Sequence, residues 1–273
     1  MKNLNEVRVV FLGAGNMAEA LVRGLLKGHV CPASHLTVTD IRPERLAYFQ
    51  STFGVAGATT NAGVAAQADV LFLAVKPQQL REVVTEVAPH LPAGALVLSI
   101  AAGVRTATLE ALLGSSVRVV RAMPNTPALV SAGVTAICPG AQAGEAELAL
   151  AEALLRAVGS VVRVEEPAMD AVTAVSGSGP AYVFHFMEAL LAGAEQLGLE
   201  PALARQLVYG TLAGAIQLAQ QSPDAPGLLR ERVTSKGGTT AAALEVVNTR
   251  AVAQAWIDAL AAAQRRSVEL SGG

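Results

Sequence analysis

The sequence predicts an α/β protein: an N-terminal Rossmann-like doubly wound sheet, residues 1–164, followed by an all-helical C-terminal dimerisation domain, residues 165–273. Three observations carry this. Short β-branched runs alternate with amphipathic stretches through the first half. A glycine-rich turn follows the first of these runs directly. Beyond Gly159–Pro167 the β-branched runs stop and long Ala/Leu-rich helical patterns take over, which places the domain boundary there.

Taken in order, Val7–Leu12, Leu36–Asp40, Asp69–Val75, Ala95–Ile100 and Val117–Ala122 are apolar runs of strand length. They lack polar alternation, as expected of strands in a parallel sheet covered by helices on both faces. Between them Met17–Lys27, Pro43–Phe53 and Gln78–Ala88 repeat apolar residues near the helical period. Ser160–Val164 is one more strand-like run. The helices expected after it are Ala168–Val175, Gly179–Leu197, Pro201–Gln221, Ala225–Val233, Thr239–Asn248 and Arg250–Leu270. Several carry small apolar residues on most faces, as in Leu190-Leu191-Ala192-Gly193-Ala194 and Thr211-Leu212-Ala213-Gly214-Ala215. That leaves too little polar surface for an isolated bundle. A second subunit would cover them, giving a homodimer or higher homo-oligomer; a single large internal core is the alternative.

Composition narrows the function classes. A chain of 273 residues with 52% hydrophobic and 15% charged residues can bury a large core, which excludes disorder. Its 20 Lys+Arg against 22 Asp+Glu, with no basic run, argue against nucleic acid as a partner. Cys31, Cys138 and the 4 His residues imply neither a disulfide framework nor a metal. The mean hydropathy of +0.44 raises the question of a membrane. The long uncharged stretches do not support one: Ala122–Gly144 is broken by Pro124, Pro127 and Pro139, and Gln206–Pro223 by Gln and Gly. The N-terminus carries Glu6 and leads into a strand-like run without a signal-peptide pattern, so a cytoplasmic location is expected.

The glycine-rich turn is Gly13-Ala14-Gly15-Asn16-Met17-Ala18, a G-x-G-x-x-A between a strand and a helix. Gly13 permits the tight turn, Gly15 lets the backbone approach a pyrophosphate, and Ala18 keeps helix and strand close. The helix N-terminus at Asn16 and Met17 then offers free N–H groups to the diphosphate. Two residues bear on the choice of dinucleotide, and they conflict. Asp40, at the end of the next strand, suits the ribose hydroxyls of NAD, whereas Arg42 suits a 2′-phosphate. Ala74-Val75-Lys76-Pro77 and Met123-Pro124-Asn125-Thr126-Pro127 follow further strands, where loops of an open α/β sheet line the ligand.

Two small-residue segments mark the helical half. Ser176-Gly177-Ser178-Gly179-Pro180-Ala181-Tyr182 interrupts the helical pattern, bringing helices together or admitting a ligand to the backbone. Ser235-Lys236-Gly237-Gly238-Thr239-Thr240 precedes a helix and offers N–H groups, flexible glycines and hydroxyls, suited to a compact carboxylate; an ordinary helix cap is the alternative. No Ser, Cys or His lies in a nucleophile motif, and His185, on an apolar helix, reads as a core histidine. A site that holds a nicotinamide and a small anion without a strong acid or base suits hydride addition to an imine that arrives protonated.

These segments resemble the Δ1-pyrroline-5-carboxylate reductase family over essentially the whole chain. The matching blocks are Phe11–Met17, Ala74–Pro77, Ser99–Gly103, Arg121–Pro127, Ser176–Tyr182 and Gly237–Thr240, in that order. The resemblance implies reduction of 1-pyrroline-5-carboxylate to proline with NADPH, NADH being the second cofactor, in a site built at a dimer interface from the C-terminal helices. It implies that Asn61, Ala74 and Lys76 lie near the cofactor. It further implies that Thr240 bonds the ring nitrogen and that backbone N–H groups of Gly237–Thr240 take the carboxylate. The chain departs from the family pattern at Lys236, where Pro is frequent, and at Asp40, unusual beside a 2′-phosphate. Two other readings stand beside it. A β-hydroxyacid dehydrogenase-like oxidoreductase would need a catalytic Lys that Tyr182–Met187 lacks, and a non-catalytic dinucleotide sensor would bind without turnover.

Overall fold

The computed structural model describes residues 4–272. Its first half alternates strands and helices: β1 (Val9–Leu12), α1 (Asn16–Lys27), β2 (Leu36–Thr39), α2 (Pro43–Phe53), β3 (Ala56–Ala58), α3 (Ala62–Ala65), β4 (Val70–Leu73), α4 (Pro77–Val87), β5 (Leu96–Ser99), α5 (Thr106–Leu113), β6 (Arg118–Met123), β7 (Gly133–Pro139), α6 (Glu145–Leu155) and β8 (Gly159–Arg163). The strands form one sheet in the order β3-β2-β1-β4-β5-β6-β7-β8. The order reverses beside β1, the switch point where doubly wound sheets take ligands.

Strands β1, β4 and β5 are buried along their whole length, as their unbroken apolar runs require. Alternate residues feed two cores. Val9 and Phe11 of β1 join α1 and α2 residues such as Leu21, Leu25 and Phe49 on one face. Val10 and Leu12 join Leu80, Val84 and Leu109 of α4 and α5 on the other. Phe11 faces Phe72 in the β1–β4 register, and their rings stack at 4.6 Å.

The sheet is parallel except at one joint, where β6 and β7 pair antiparallel. The five runs read as a parallel sheet do pair parallel, and the reversal belongs to β7, which lies outside them. Only Pro124–Ala132 joins the two strands, too short a link for the crossover that a parallel neighbour needs. The longer link through α6 returns β8 parallel to β7.

Beneath this joint lies a buried polar cluster. Arg121 of β6 is 2% exposed and pairs with Glu166 at 3.3 Å. The Glu166 carboxylate also accepts the Thr106 backbone N–H at 2.8 Å and its hydroxyl at 2.5 Å, capping the start of α5. Cys138, opposite Arg121, is buried, and burial together with the Glu166 charge pushes its thiol up to about 12.

The remaining helices are α7 (Met169–Val172), continued by a π turn over Thr173–Gly177, then α8 (Gly179–Gln196), α9 (Pro201–Gln221), α10 (Pro226–Arg232), α11 (Thr239–Thr249) and α12 (Val252–Leu270). Two compact units result. One runs through Ser178 and resumes at Ala263; the other is Gly179–Ala262. Within the second, Tyr182 of α8 lies against Trp256 of α12, ring centroids 5.8 Å apart.

None of the residues of α8, α10 or α11 is buried. Phe184, Leu207, Ile216 and Val246 are exposed, Ile216 at 62%. His185, expected in a core, is exposed on α8 with its ring edge-on to Trp256 at 6.1 Å. A helix this apolar without a buried residue leaves apolar surface uncovered by its own chain. Among the described residues, no helix is long and apolar enough to cross a membrane.

Candidate active site

The first unit carries a groove of about 390 Å³ at the carboxyl ends of β1, β2 and β4. Gly13, Gly15, Asp40, Arg42, Asn61, Ala74 and Lys76 all line it. A larger cavity, about 590 Å³, opens at the opposite ends of the strands, lined by apolar residues such as Val7, Leu96 and Leu150. The smaller groove has the chemistry, because strand carboxyl ends and a helix N-terminus converge on it.

Gly13 has φ +100°, and a Cβ there would meet the Ala74 carbonyl oxygen at 2.7 Å. Any other residue would clash with the β4 loop, so the turn is glycine by necessity. Gly15 is different: a Cβ built on it meets nothing within 4 Å. Its side faces open space, as a backbone that a diphosphate must approach requires. Gly15 also caps α1, whose first residues are Asn16 and Met17. Asn16 is exposed beside the groove, whereas Met17 packs against the α1 side of the core. Lys76 caps α4, and Pro77 opens it without lining the groove.

Asp40 and Arg42 pair with each other. The Arg42 Nε donates to Asp40 Oδ1 at 2.9 Å and a terminal nitrogen to Oδ2 at 3.1 Å. The carboxylate also accepts the Arg42 and Ala14 backbone N–H groups, each at 3.0 Å. Burial alone would raise the Asp40 carboxyl; these hydrogen bonds outweigh it and hold it below its ordinary value. Asp40 is thus a neutralised structural acceptor, while the Arg42 side chain remains 52% exposed.

The sequence motif did not reveal Arg45, which holds the same residue, Ala14, through its carbonyl. Its Nε donates to the Ala14 carbonyl at 2.8 Å and a terminal nitrogen to Glu19 at 2.9 Å. Its guanidinium lies over the Tyr48 and Phe49 rings. Thr39, Ile41, Thr59, Gln79 and Val83 also line the groove without having been singled out. Thr39 donates its hydroxyl to Asn61 Oδ1 at 2.7 Å, and Asn61 Nδ2 donates to Glu86 at 2.8 Å, which fixes that side chain at the groove wall. Of these, Thr39 and Ile41 flank Asp40 at the end of β2, which was the one local sign of them.

The second unit holds the Ser235–Thr240 turn. Gly237 has φ +73°, the Gly238 N–H bonds back to the Ser235 carbonyl at 3.0 Å, and Gly238 caps α11. The α11 N-terminus thereby presents the backbone N–H groups of Thr239 and Thr240 at its first turn. Thr240 is half-buried; Ser235, Lys236, Gly237 and Thr239 are exposed.

Comparison with known proteins finds two family models on separate stretches of the chain. A family model described as pyrroline-5-carboxylate reductase dimerisation matches residues 166–270, and one described as coenzyme F420-dependent NADP oxidoreductase matches residues 8–103. The pyrroline-5-carboxylate reductase of Pseudomonas aeruginosa is 43% identical over 265 residues, covering 97% of each chain. The chain belongs to the pyrroline-5-carboxylate reductase family. A solved reductase of this family from Coxiella burnetii has a TM-score of 0.90 at 40% identity, covering 98% of this chain and 99% of that one. The Plasmodium falciparum pyrroline carboxylate reductase, solved with NADP bound, has a TM-score of 0.91 at 26% identity with the same coverage. Membership in the reductase family thus rests on the whole chain and not on the glycine turn alone.

Proposed function

We propose that this protein reduces 1-pyrroline-5-carboxylate to L-proline with NAD(P)H, the last step of proline biosynthesis. The observation that carries this reading is the 43% identity to a pyrroline-5-carboxylate reductase over 97% of the chain. The open cradle at Gly15 and the cation at Arg42 support it independently. Both fit a dinucleotide.

In this reading Gly13, Gly15, Asn16 and Met17 shape the diphosphate site. Asn61, Ala74, Lys76 and Pro77 wall the groove, and Arg42 turns from Asp40 toward a 2′-phosphate, favouring NADPH. Asp40, freed of Arg42, can take the ribose hydroxyls of NADH instead. Ile41, 83% exposed at the groove, gives the adenine an apolar face. NAD(P)H, when bound, supplies the hydride for the imine carbon.

The chain's own residues then have little proton work to do. A cyclic imine of this kind arrives protonated, so the protein must orient it and match its charges. Ser235, Gly237, Gly238, Thr239 and Thr240 hold the carboxylate through the N–H groups and hydroxyls of the turn. Thr240 hydrogen-bonds the ring nitrogen and is the catalytic residue. The sequence boundary at 164/165 would give one domain for the nucleotide and one for the substrate and a partner chain. The apolar faces of α8 and α9 support a homodimer or higher homo-oligomer, and its place in this reading is the cytoplasm.

Parallel steady-state assays with pyrroline-5-carboxylate against NADPH and NADH test this reading. Consumption of reduced cofactor tied to the imino acid is expected. A protein that binds NADPH without consuming it would be a sensor, and one that oxidised hydroxy acids instead would belong with the β-hydroxyacid dehydrogenases.

A further inference from the structure

We propose that Asn125 is a positioning residue for this reaction, clamping the chain where it leaves the first unit for the second. The proposal rests on the function given above. That function divides the reactants: the nucleotide groove is built by the first unit, and the Ser235–Thr240 turn by the second. The chain passes between the units at two places, after Ser178 and before Ala263. Donor and acceptor on separate units must be brought to reacting distance, and errors of about 1 Å in such positioning can cost a hundredfold in rate.

Both crossings are pinned from within the first unit. At the second, the buried Ser267 hydroxyl donates to Asp170 Oδ1 at 2.6 Å. At the first, the chain runs through the π turn Thr173–Gly177, closed by the Ser178 N–H to the Thr173 carbonyl at 2.9 Å. Two residues further on is Pro180, which has no N–H. An α-helix would give the Ser176 carbonyl the N–H of residue 180, so proline removes that partner. Asn125 supplies a donor: its Nδ2 reaches the Ser176 carbonyl at 3.2 Å and the hydroxyl at 3.4 Å.

The Asn125 side chain has no freedom to turn over. Its Oδ1 accepts the Val134 N–H at 2.9 Å at the start of β7, which leaves Nδ2 aimed at Ser176. Asn125 itself sits in the loop that follows β6, on the ligand side of the sheet. Met123 from the same strand end seals the contact, because its Cε occupies the space that a Cβ on Gly177 would need. Single π turns set among α-helices are frequent at functional sites.

The test is a double-mutant cycle between Asn125 and Pro180. Asn125→Asp keeps the acceptor for Val134 and replaces the donor to Ser176 by a carboxylate oxygen; Asn125→Ala removes the donor without adding charge and is the second variant. Pro180→Ala supplies the N–H that Ser176 lacks. Expected for Asn125→Asp is a drop in kcat of about tenfold with the NADPH dissociation constant within about twofold, and faster amide exchange across residues 173–183. Adding Pro180→Ala should recover most of both losses relative to Pro180→Ala alone. Unchanged exchange in the Asn125 variants, a tenfold faster exchange with no change in kcat, or strictly additive effects would each overturn the proposal. If wild-type protein fails to consume NADPH with pyrroline-5-carboxylate, the assigned reaction falls first, whereas an active wild type with indifferent variants removes only the clamp.

Discussion

The Arg42 guanidinium grips both oxygens of the Asp40 carboxylate, Nε on Oδ1 at 2.9 Å and a terminal nitrogen on Oδ2 at 3.1 Å. A strand-end acid ordinarily takes the ribose hydroxyls of NAD and repels a 2′-phosphate. Here its charge is met by an arginine that is half exposed and able to exchange one anion for another.

Arg42→Ala should therefore separate the two cofactors. Loss of the cation removes a charge-assisted contact worth about 1.5–3 kcal/mol and leaves a bare carboxylate beside the 2′-phosphate. NADPH should bind about ten- to a hundredfold more weakly, with NADH changed by no more than about threefold. Titration of both cofactors by fluorescence checks this, and equal losses would show that Arg42 does not read the phosphate.

Asp40 also predicts an acid limb. Its carboxyl titrates below 3.8 in the folded protein, so its contribution to stability is complete above that value and is lost as pH falls through the folded one. Asp40→Asn should flatten the loss of thermal stability below about pH 4 relative to wild type. Melting curves taken between neutral pH and pH 3 measure it; parallel acid limbs would count against the carboxylate.

The uncovered faces of α8 and α9 predict self-association. Ile216, 62% exposed on α9, should become intolerant of charge if a second chain covers it. Ile216→Glu is expected to shift the protein toward monomer in sedimentation velocity, with its helical content retained and its activity reduced at least about tenfold, since burying an unpaired charge is costly. An unchanged mass would mean that α9 faces solvent.

Much of this was legible in the chain, for identifiable reasons. Strands β1 and β4 are buried runs of Val, Leu and Phe, β5 departs from that only at Ser99, and burial on both faces is what their lack of alternation means. Edge strand β3 is Ala-Gly-Ala and has no such signature. The reversal at β7 follows from the shortness of a loop, which composition does not weigh. The structure brings Gly13, Gly15, Asp40 and Arg42 to one groove, and all four were singled out from the glycine turn and the strand end after it. Arg45 was not, because it acts through the Ala14 carbonyl 31 positions away in sequence. His185, read as a core histidine, is exposed in the single chain because no residue of α8 is buried by that chain alone.

The central claim is that the Ser235–Thr240 turn of the second unit grips the substrate while the first unit holds the nucleotide. Steady-state kinetics of Thr240→Ala with pyrroline-5-carboxylate and NADPH test it most directly. The account predicts kcat/KM lower by about ten- to a hundredfold, with the melting temperature and NADPH affinity of wild type. A variant as fast as wild type would contradict it.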